Sequence, residues 1–184
     1  MKRETLASNR SRLAASAAGV LFIALVVGAC MGSAAQKPPF ILPFDPGSAG
    51  ARVAAEFRVT EPLLYAAQLQ YEFKEGHQPD RARAWRLAGG SVNEGPGKWS
   101  ETGAALELRI VVSQRKAGVV SPLVSKVVRN PRVSSWGGHT LNATLVEFEL
   151  DTGTYEISVE SLQAAPAFHN EPVGVLVGRA YRGK

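Results

Sequence analysis

Along four stretches of the chain, hydrophobic and polar residues alternate with a period of two, the pattern of strands that bury one face. In residues 52–59, Val53, Ala55, Phe57 and Val59 share one face while Arg52, Glu56 and Arg58 share the other. In residues 64–73, Tyr65, Leu69, Tyr71 and Phe73 alternate with Gln68, Gln70 and Glu72. In residues 104–112, Leu106, Leu108, Ile110 and Val112 oppose Glu107 and Arg109. Residues 154–160 set Tyr155, Ile157 and Val159 against Glu156, Ser158 and Glu160.

Three further stretches are less regular. Residues 119–128 carry Pro122, which predicts an edge strand or an interruption because proline cannot donate to a ladder. Residues 141–150 change phase between Leu145 and Val146, which predicts a bulge, since a slip of one residue swaps the faces. Asp151-Thr152-Gly153 has the chemistry of a tight hairpin leading into the next strand. Residues 172–181 close the pattern, with Val173, Val175 and Val177 inward and the small Gly174 and Gly178 opposite.

One segment has a helical composition instead. Residues 80–88 read DRARAWRLA, with Asp80 as the expected N-cap and Gly89-Gly90 as the stop. Its buried stripe is either Trp85 with Ala88 or Ala84 with Leu87. Seven or eight strands at turn-separated intervals and one short helix predict a mainly β fold, an antiparallel β-sandwich of Ig-like or jelly-roll-like type over residues 51–184. Before it, residues 30–50 hold Pro38, Pro39, Pro43 and Pro46 among Gly, Ser and Ala, a composition that suits a tether. Phe40, Ile41, Leu42 and Phe44 are too apolar for a solvated linker and are expected to dock on the domain as a first edge strand.

The N-terminus follows a different logic. Lys2, Arg3, Arg10 and Arg12 precede residues 13–30, LAASAAGVLFIALVVGAC, which carry no charge and no proline. A basic stretch before a short apolar helix is the layout of a secretory signal. Its densest part, residues 20–27, falls well short of the ~20 apolar residues of a permanent span. The segment ends Val27-Gly28-Ala29-Cys30 and resembles the lipobox of bacterial lipoproteins, where small residues precede a Cys that is diacylated and becomes the new N-terminus. Val27 and Gly28 depart from the Leu and the Ala or Ser usual at those places. The resemblance implies cleavage between Ala29 and Cys30, removal of residues 1–29 and acylation of Cys30. A cut after Ala35, or an uncleaved anchor, are the alternatives. Met31 is not the Asp that retains similar lipoproteins at the inner membrane, so the expected address is the outer membrane, facing the periplasm.

The order of features in VAAEFRVTEPLLYAAQLQYEF (53–73), DRARAWRLAG (80–89), GTYEISVESL and PAFHNEPVGVLVG resembles a family of uncharacterised proteobacterial lipoproteins with a single β-sandwich domain of unknown function. That resemblance implies the sandwich and the lipid anchor and supplies no catalytic residues. Similar small periplasmic lipoproteins include immunity partners of secreted antibacterial toxins.

Composition then narrows the chemistry. The chain of 184 residues has a net charge of +5 and one Cys, so it has no internal disulfide and no Cys-rich zinc site. Residues 1–29 hold four of the basic residues and one acid, Glu4; without them 17 basic and 15 acidic residues remain, a net charge of +2. That small excess gives no reason to expect nucleic acid as a partner. His77, His139 and His169 stand far apart in Gly-, Pro- or Asn-rich loops, and no metal site is expected. No GxSxG elbow is present, and Gly89-Gly90 and Gly137-Gly138 lack the residues of a phosphate loop. The one dense basic-aromatic cluster is Arg81, Arg83, Trp85 and Arg86, a candidate contact for an acidic partner or lipid headgroups. Trp99 and Trp136 lie in loops, where tryptophans more often plug the ends of a sandwich and, if exposed, act as interface anchors.

The expected function is a lipid-anchored envelope module that binds a protein without catalysis and needs no cofactor. A structural envelope protein is the alternative, and a periplasmic hydrolase with an unrecognised loop site is a more distant one.

Overall fold

A computed structural model describes residues 35–90 and 102–180, and most of their backbone is committed to two antiparallel sheets laid face to face. In chain order the elements are β1 (Phe40–Pro43), β2 (Arg52–Val59), β3 (Leu63–Glu72), α1 (Gln78–Leu87), β4 (Glu107–Lys116) and β5 (Val119–Arg129). There follow β6 (Ser135–Trp136), β7 (Thr140–Leu150), β8 (Gly153–Ser161), a 3-10 turn over Pro166–Phe168 and β9 (Val173–Arg179). One sheet runs β1-β9-β3-β7-β6 and the other β2-β8-β4-β5. With the two-residue β6 set aside, β4 pairs β5, β3 pairs β7, β2 pairs β8 and β1 pairs β9, each pair nested inside the next. That is the wiring of a jelly roll, a single long hairpin whose arms roll up together between two sheets. Of the two sandwich types the sequence leaves open, the strand order selects this one.

The period-two strands behave as their sequences dictate. Phe57, Val59, Leu108, Ile110, Val112, Tyr155, Ile157 and Val159 line the inner face of one sheet, all buried. Tyr65, Leu69, Tyr71, Phe148, Val175 and Val177 answer from the other. On the outside, Gln68 donates to Thr144 Oγ1 at 3.3 Å and Gln70 to Asn142 Oδ1 at 2.9 Å, a polar ladder across β3 and β7. The phase break in β7 is a bulge: Ala67 faces Val146 and Gln68 faces Thr144, leaving Leu145 unopposed. The Lys126 ammonium, on the inner side of β5, donates to the Leu145 carbonyl at 3.2 Å. Pro122 stands in an edge strand, as expected, next to a second bulge at Leu123, which the register skips opposite Val112 and Ser113. Pro122, the bulge and the inward Lys126 are all devices that discourage open-ended pairing along a free edge.

Two expectations are corrected. Asp151-Thr152 does not close a hairpin: Leu150 pairs with Leu63 in one sheet and Gly153 with Val59 in the other, so the turn arches over the rim of the sandwich. Alternation marks which face is buried but not which sheet a strand joins. The N-cap of α1 is His77, and Asp80 falls in the first turn. Proline suits that turn because its missing N–H would have no intrahelical partner, so Pro79 starts the helix before Asp80. The apolar segment ahead of residue 51 does dock: β1 pairs with β9, and Gln36 exchanges backbone hydrogen bonds with Glu56 and Arg58 on β2. The sandwich therefore takes in part of the stretch that composition marks as tether. Close to this point Phe40, Phe57 and Tyr155 stack in sequence, with ring centroids 5.7 and 5.8 Å apart, joining the two sheets.

The two ends of the sandwich differ. At one, the connections are the short arches 60–62 and 151–152 and the two-residue turn Ala117-Gly118, and β9 finishes there. Ala117 (φ 49°) and Gly118 (φ 80°) are both left-handed, the signature of a type I′ hairpin. At the other end lie the long connections 44–51, 130–134 and 162–172, together with residues 73–90 and 102–106, which include α1.

Candidate functional site

The loop-bearing end is built around α1. Asp80 places a carboxylate in the first turn and Arg86 a cation in the last, both favourable to the helix dipole. The helix closes when Gly89 donates to the Arg86 carbonyl at φ 78°, and a Cβ there would lie 1.9 Å from the Gly103 carbonyl oxygen. Glycine is thus required twice over, for the turn and for the approach of residues 102–104. The buried stripe is Ala84 and Ala88, one residue from each expected pair, with Trp85 and Leu87 half-buried against the core.

At about 100° per residue, one helix cannot keep the basic cluster on one face. Arg83 turns inward, pairing with Glu171 just before β9 and lying 4.0 Å from Asp80. It fastens the helix to the loop at 162–172. Arg81 and Arg86 remain exposed. A cleft between α1 and the 3-10 turn is lined by Arg83, Arg86, Leu87, Ala167, Phe168 and Glu171. The β6–β7 turn belongs to the same end: Phe73 donates to the His139 carbonyl, and Trp136 is 67% exposed. Its position in the sequence allowed either a plug or an anchor, and the structure leaves the indole in solvent.

All three histidines reach this end, each in its own setting. His77 Nδ1 lies 3.2 Å from Asp80 Oδ2, and His169 Nδ1 lies 3.4 Å from Asp45 Oδ2. His139 is exposed in the β6–β7 turn. Among the described residues no group of three or more His, Cys, Asp or Glu side chains could hold a metal ion. Asp45 organises the loop at 44–51: it accepts from the Gly47 amide at 2.8 Å and the Asn170 amide at 3.5 Å. The Gly47 amide does most to hold its carboxyl below the ordinary value; burial opposes it, and His169 and the Asn170 amide add lesser lowering effects. Gly47 sits under the His169 ring, where a Cβ would lie 2.3 Å from Nδ1. Deeper in, the Tyr71 hydroxyl is buried with no hydrogen-bond partner among the described residues, and burial raises its pKa above that of an ordinary phenol. Ala29, Cys30 and Trp99 lie outside the described residues.

Among solved structures, the chain is similar to a protein of Sulfurospirillum deleyianum, with 19% identity over 78% of this chain and 98% of that one and a TM-score of 0.62. It also matches two family 35 carbohydrate-binding modules, each over 74% of this chain and 70% of the module. The one from an environmental isolate is 16% identical with a TM-score of 0.33, and the one from Cellvibrio japonicus is 12% identical with a TM-score of 0.34. No curated protein matches the chain. A family profile described as a domain of unknown function, DUF5625, matches residues 41–179, from β1 to the last residue of β9. The chain belongs to the DUF5625 family of domains of unknown function.

Proposed function

We propose that this protein is a non-catalytic protein-binding module of the bacterial cell envelope, anchored in the outer membrane through acylated Cys30 and facing the periplasm. Its partner docks on the end of the sandwich that carries α1 and the β6–β7 turn. The observation that carries this reading is the asymmetry of the two ends. The described chain begins beside the short-turn end, with Gln36 on β2, whereas the long connections, the exposed Arg81 and Arg86 and the exposed Trp136 gather at the other. Long loops on a rigid scaffold are where binding concentrates, and exposed Trp and Arg are the residues that dominate interface energies. A tether at one end leaves the opposite end free to meet a soluble protein. A secreted toxin neutralised by this module is one such protein. The lipoprotein part of the reading rests on the resemblance at residues 27–30.

Two measurements test it. Cys30→Ser is expected to abolish fatty-acid labelling and membrane retention of the processed chain. Crosslinking in intact cells is expected to capture one stoichiometric soluble partner, and Arg86→Glu combined with Trp136→Ala is expected to lose it. Capture unchanged by that pair of substitutions sinks the docking site, and acylation that survives in Cys30→Ser sinks the anchor.

A further inference from the structure

We infer that the β4–β5 hairpin tip, Val119 and Val120 with Leu123 behind them, is a membrane-contacting element that seats the short-turn end of the sandwich on the lipid surface. This deepens the lipoprotein reading and rests on it. Val119 is 63% exposed, Leu123 51% and Val120 45%, a group of apolar side chains at the end of a strand that is solvent-exposed along most of its length. The tip is held stiffly: Lys116 pairs with Val119 across the two-residue turn, and β4 is clasped by β8 on its other side.

What covers this tip follows from where the chain is tethered. Gln36 pairs with Phe57, Phe57 with Tyr155, Tyr155 with Gln114 and Gln114 with Ser121, one continuous row across the sheet. At ~4.8 Å per strand, Ser121 lies about 19 Å from Gln36 along that row. Val119 stands two residues further toward the short-turn end. Gln36 is six residue steps beyond Cys30, and a fully extended chain of that length spans at most ~20 Å. An acylated Cys30 therefore keeps this end of the sandwich near the bilayer, with the exposed valines projecting from the same rim. Lys116 precedes the turn, and exposed Lys37 follows Gln36. Such lysines keep their ammonium groups at headgroup level while apolar neighbours enter the interface, where anionic lipids attract them. Pro122, the bulge at Leu123 and Lys126 count against a second β-strand as the occupant, because they obstruct ladder formation along this edge.

The chain's single Cys supplies the test. In the acylated protein its thiol is consumed, so Val119→Cys carries the only free thiol and takes one nitroxide label. The full chain, expressed with its N-terminus, processed and reconstituted in phosphatidylethanolamine–phosphatidylglycerol vesicles, is compared with Arg81→Cys on the opposite end. At position 119 the expected result is a severalfold lower collision rate with a water-soluble nickel chelate than at position 81, and a higher rate with oxygen. Equal accessibility at the two positions in protein shown to carry fatty acid overturns the proposal. Dipolar broadening that disappears on dilution with unlabelled chain also overturns it, in favour of a second copy. A free thiol in the membrane-bound chain without substitution reports failure of the lipoprotein reading separately.

Discussion

Tyr65 and Tyr155 make the same hydrogen bond on neighbouring arches: each hydroxyl donates at 3.0 Å to the carbonyl four residues earlier, that of Glu61 and that of Asp151. These arches carry the chain from sheet to sheet, β2 to β3 and β7 to β8, and they lie side by side because Val59 pairs with Gly153 and Leu63 with Leu150. Each tyrosine is buried, so its hydroxyl satisfies an arch carbonyl where a ladder partner is missing. Tyr65→Phe and Tyr155→Phe are each expected to lower stability by about 1 kcal/mol, roughly 2–4 °C in Tm for a domain of this size. Thermal unfolding followed by circular dichroism measures the loss.

For Tyr71 the same substitution should have the opposite sign. Among the described residues its buried hydroxyl has no partner, so it incurs a desolvation cost and returns no hydrogen bond. Tyr71→Phe keeps the ring against Phe168, 6.4 Å between centroids, and is expected to raise stability by about 1 kcal/mol. A denaturation midpoint at or below that of the parent chain contradicts this account.

Ala117 holds a left-handed φ of 49° at the first central position of the β4–β5 turn, where a Cβ is strained. Ala117→Gly is expected to stabilise by about 0.5–1 kcal/mol, and Ala117→Asn to do so as well, since Asn-Gly is the favoured pair for this turn. Urea denaturation should show a higher midpoint with an unchanged slope.

The three arginines of α1 should separate by role. Arg83 is two-thirds buried and fastens the helix to Glu171, so Arg83→Ala is expected to cost about 1 kcal/mol of stability, a value that allows for solvent screening. Arg81 and Arg86 are exposed, and their replacement by Ala should stay within about 0.5 kcal/mol. Partner capture should fall with Arg86→Ala even though the fold is unchanged. Melting curves read beside crosslinking yields make the distinction.

Asp45 predicts a pH dependence. Its carboxyl titrates below the ordinary value of 3.8 in the folded chain, mainly through the Gly47 amide. Its contribution is therefore complete above the unfolded-state value and is lost as pH falls through the lower folded-state value. The stability difference between the parent chain and Asp45→Asn should be constant near neutrality and vanish in strongly acidic solution. A difference that grows on acidification is the wrong sign for this mechanism.

Much of the fold is legible in local pattern. Inward rows, the bulge marked by Leu145-Val146 and the edge marked by Pro122 each follow from a short stretch of sequence. Sheet partnership is not legible, because both sheets face the same core: Leu150 and Gly153 read as arms of a hairpin yet join Leu63 and Val59 in opposite layers. The site is less legible still. Arg81, Arg83, Trp85 and Arg86 are a cluster in sequence, but helical rotation and the distant Glu171 divide them into anchoring and exposed groups. Nor could the exposure of Trp136 be read from its neighbours, since it depends on β6 forming the last strand of its sheet.

The nested pairing of the strands also sets an order of assembly. A chain delivered N-terminus first offers β1 long before β9 exists, and Phe40 has no ladder partner until Val177 arrives. The hairpin of β4 and β5 can close early, whereas each outer pair must wait for a later strand, a high-separation topology that slows folding. Segments already delivered expose unpaired backbone and apolar rows in the meantime. Under the proposed export through a membrane pore the delay would be useful: the sandwich would stay open, and therefore threadable, until β9 is across.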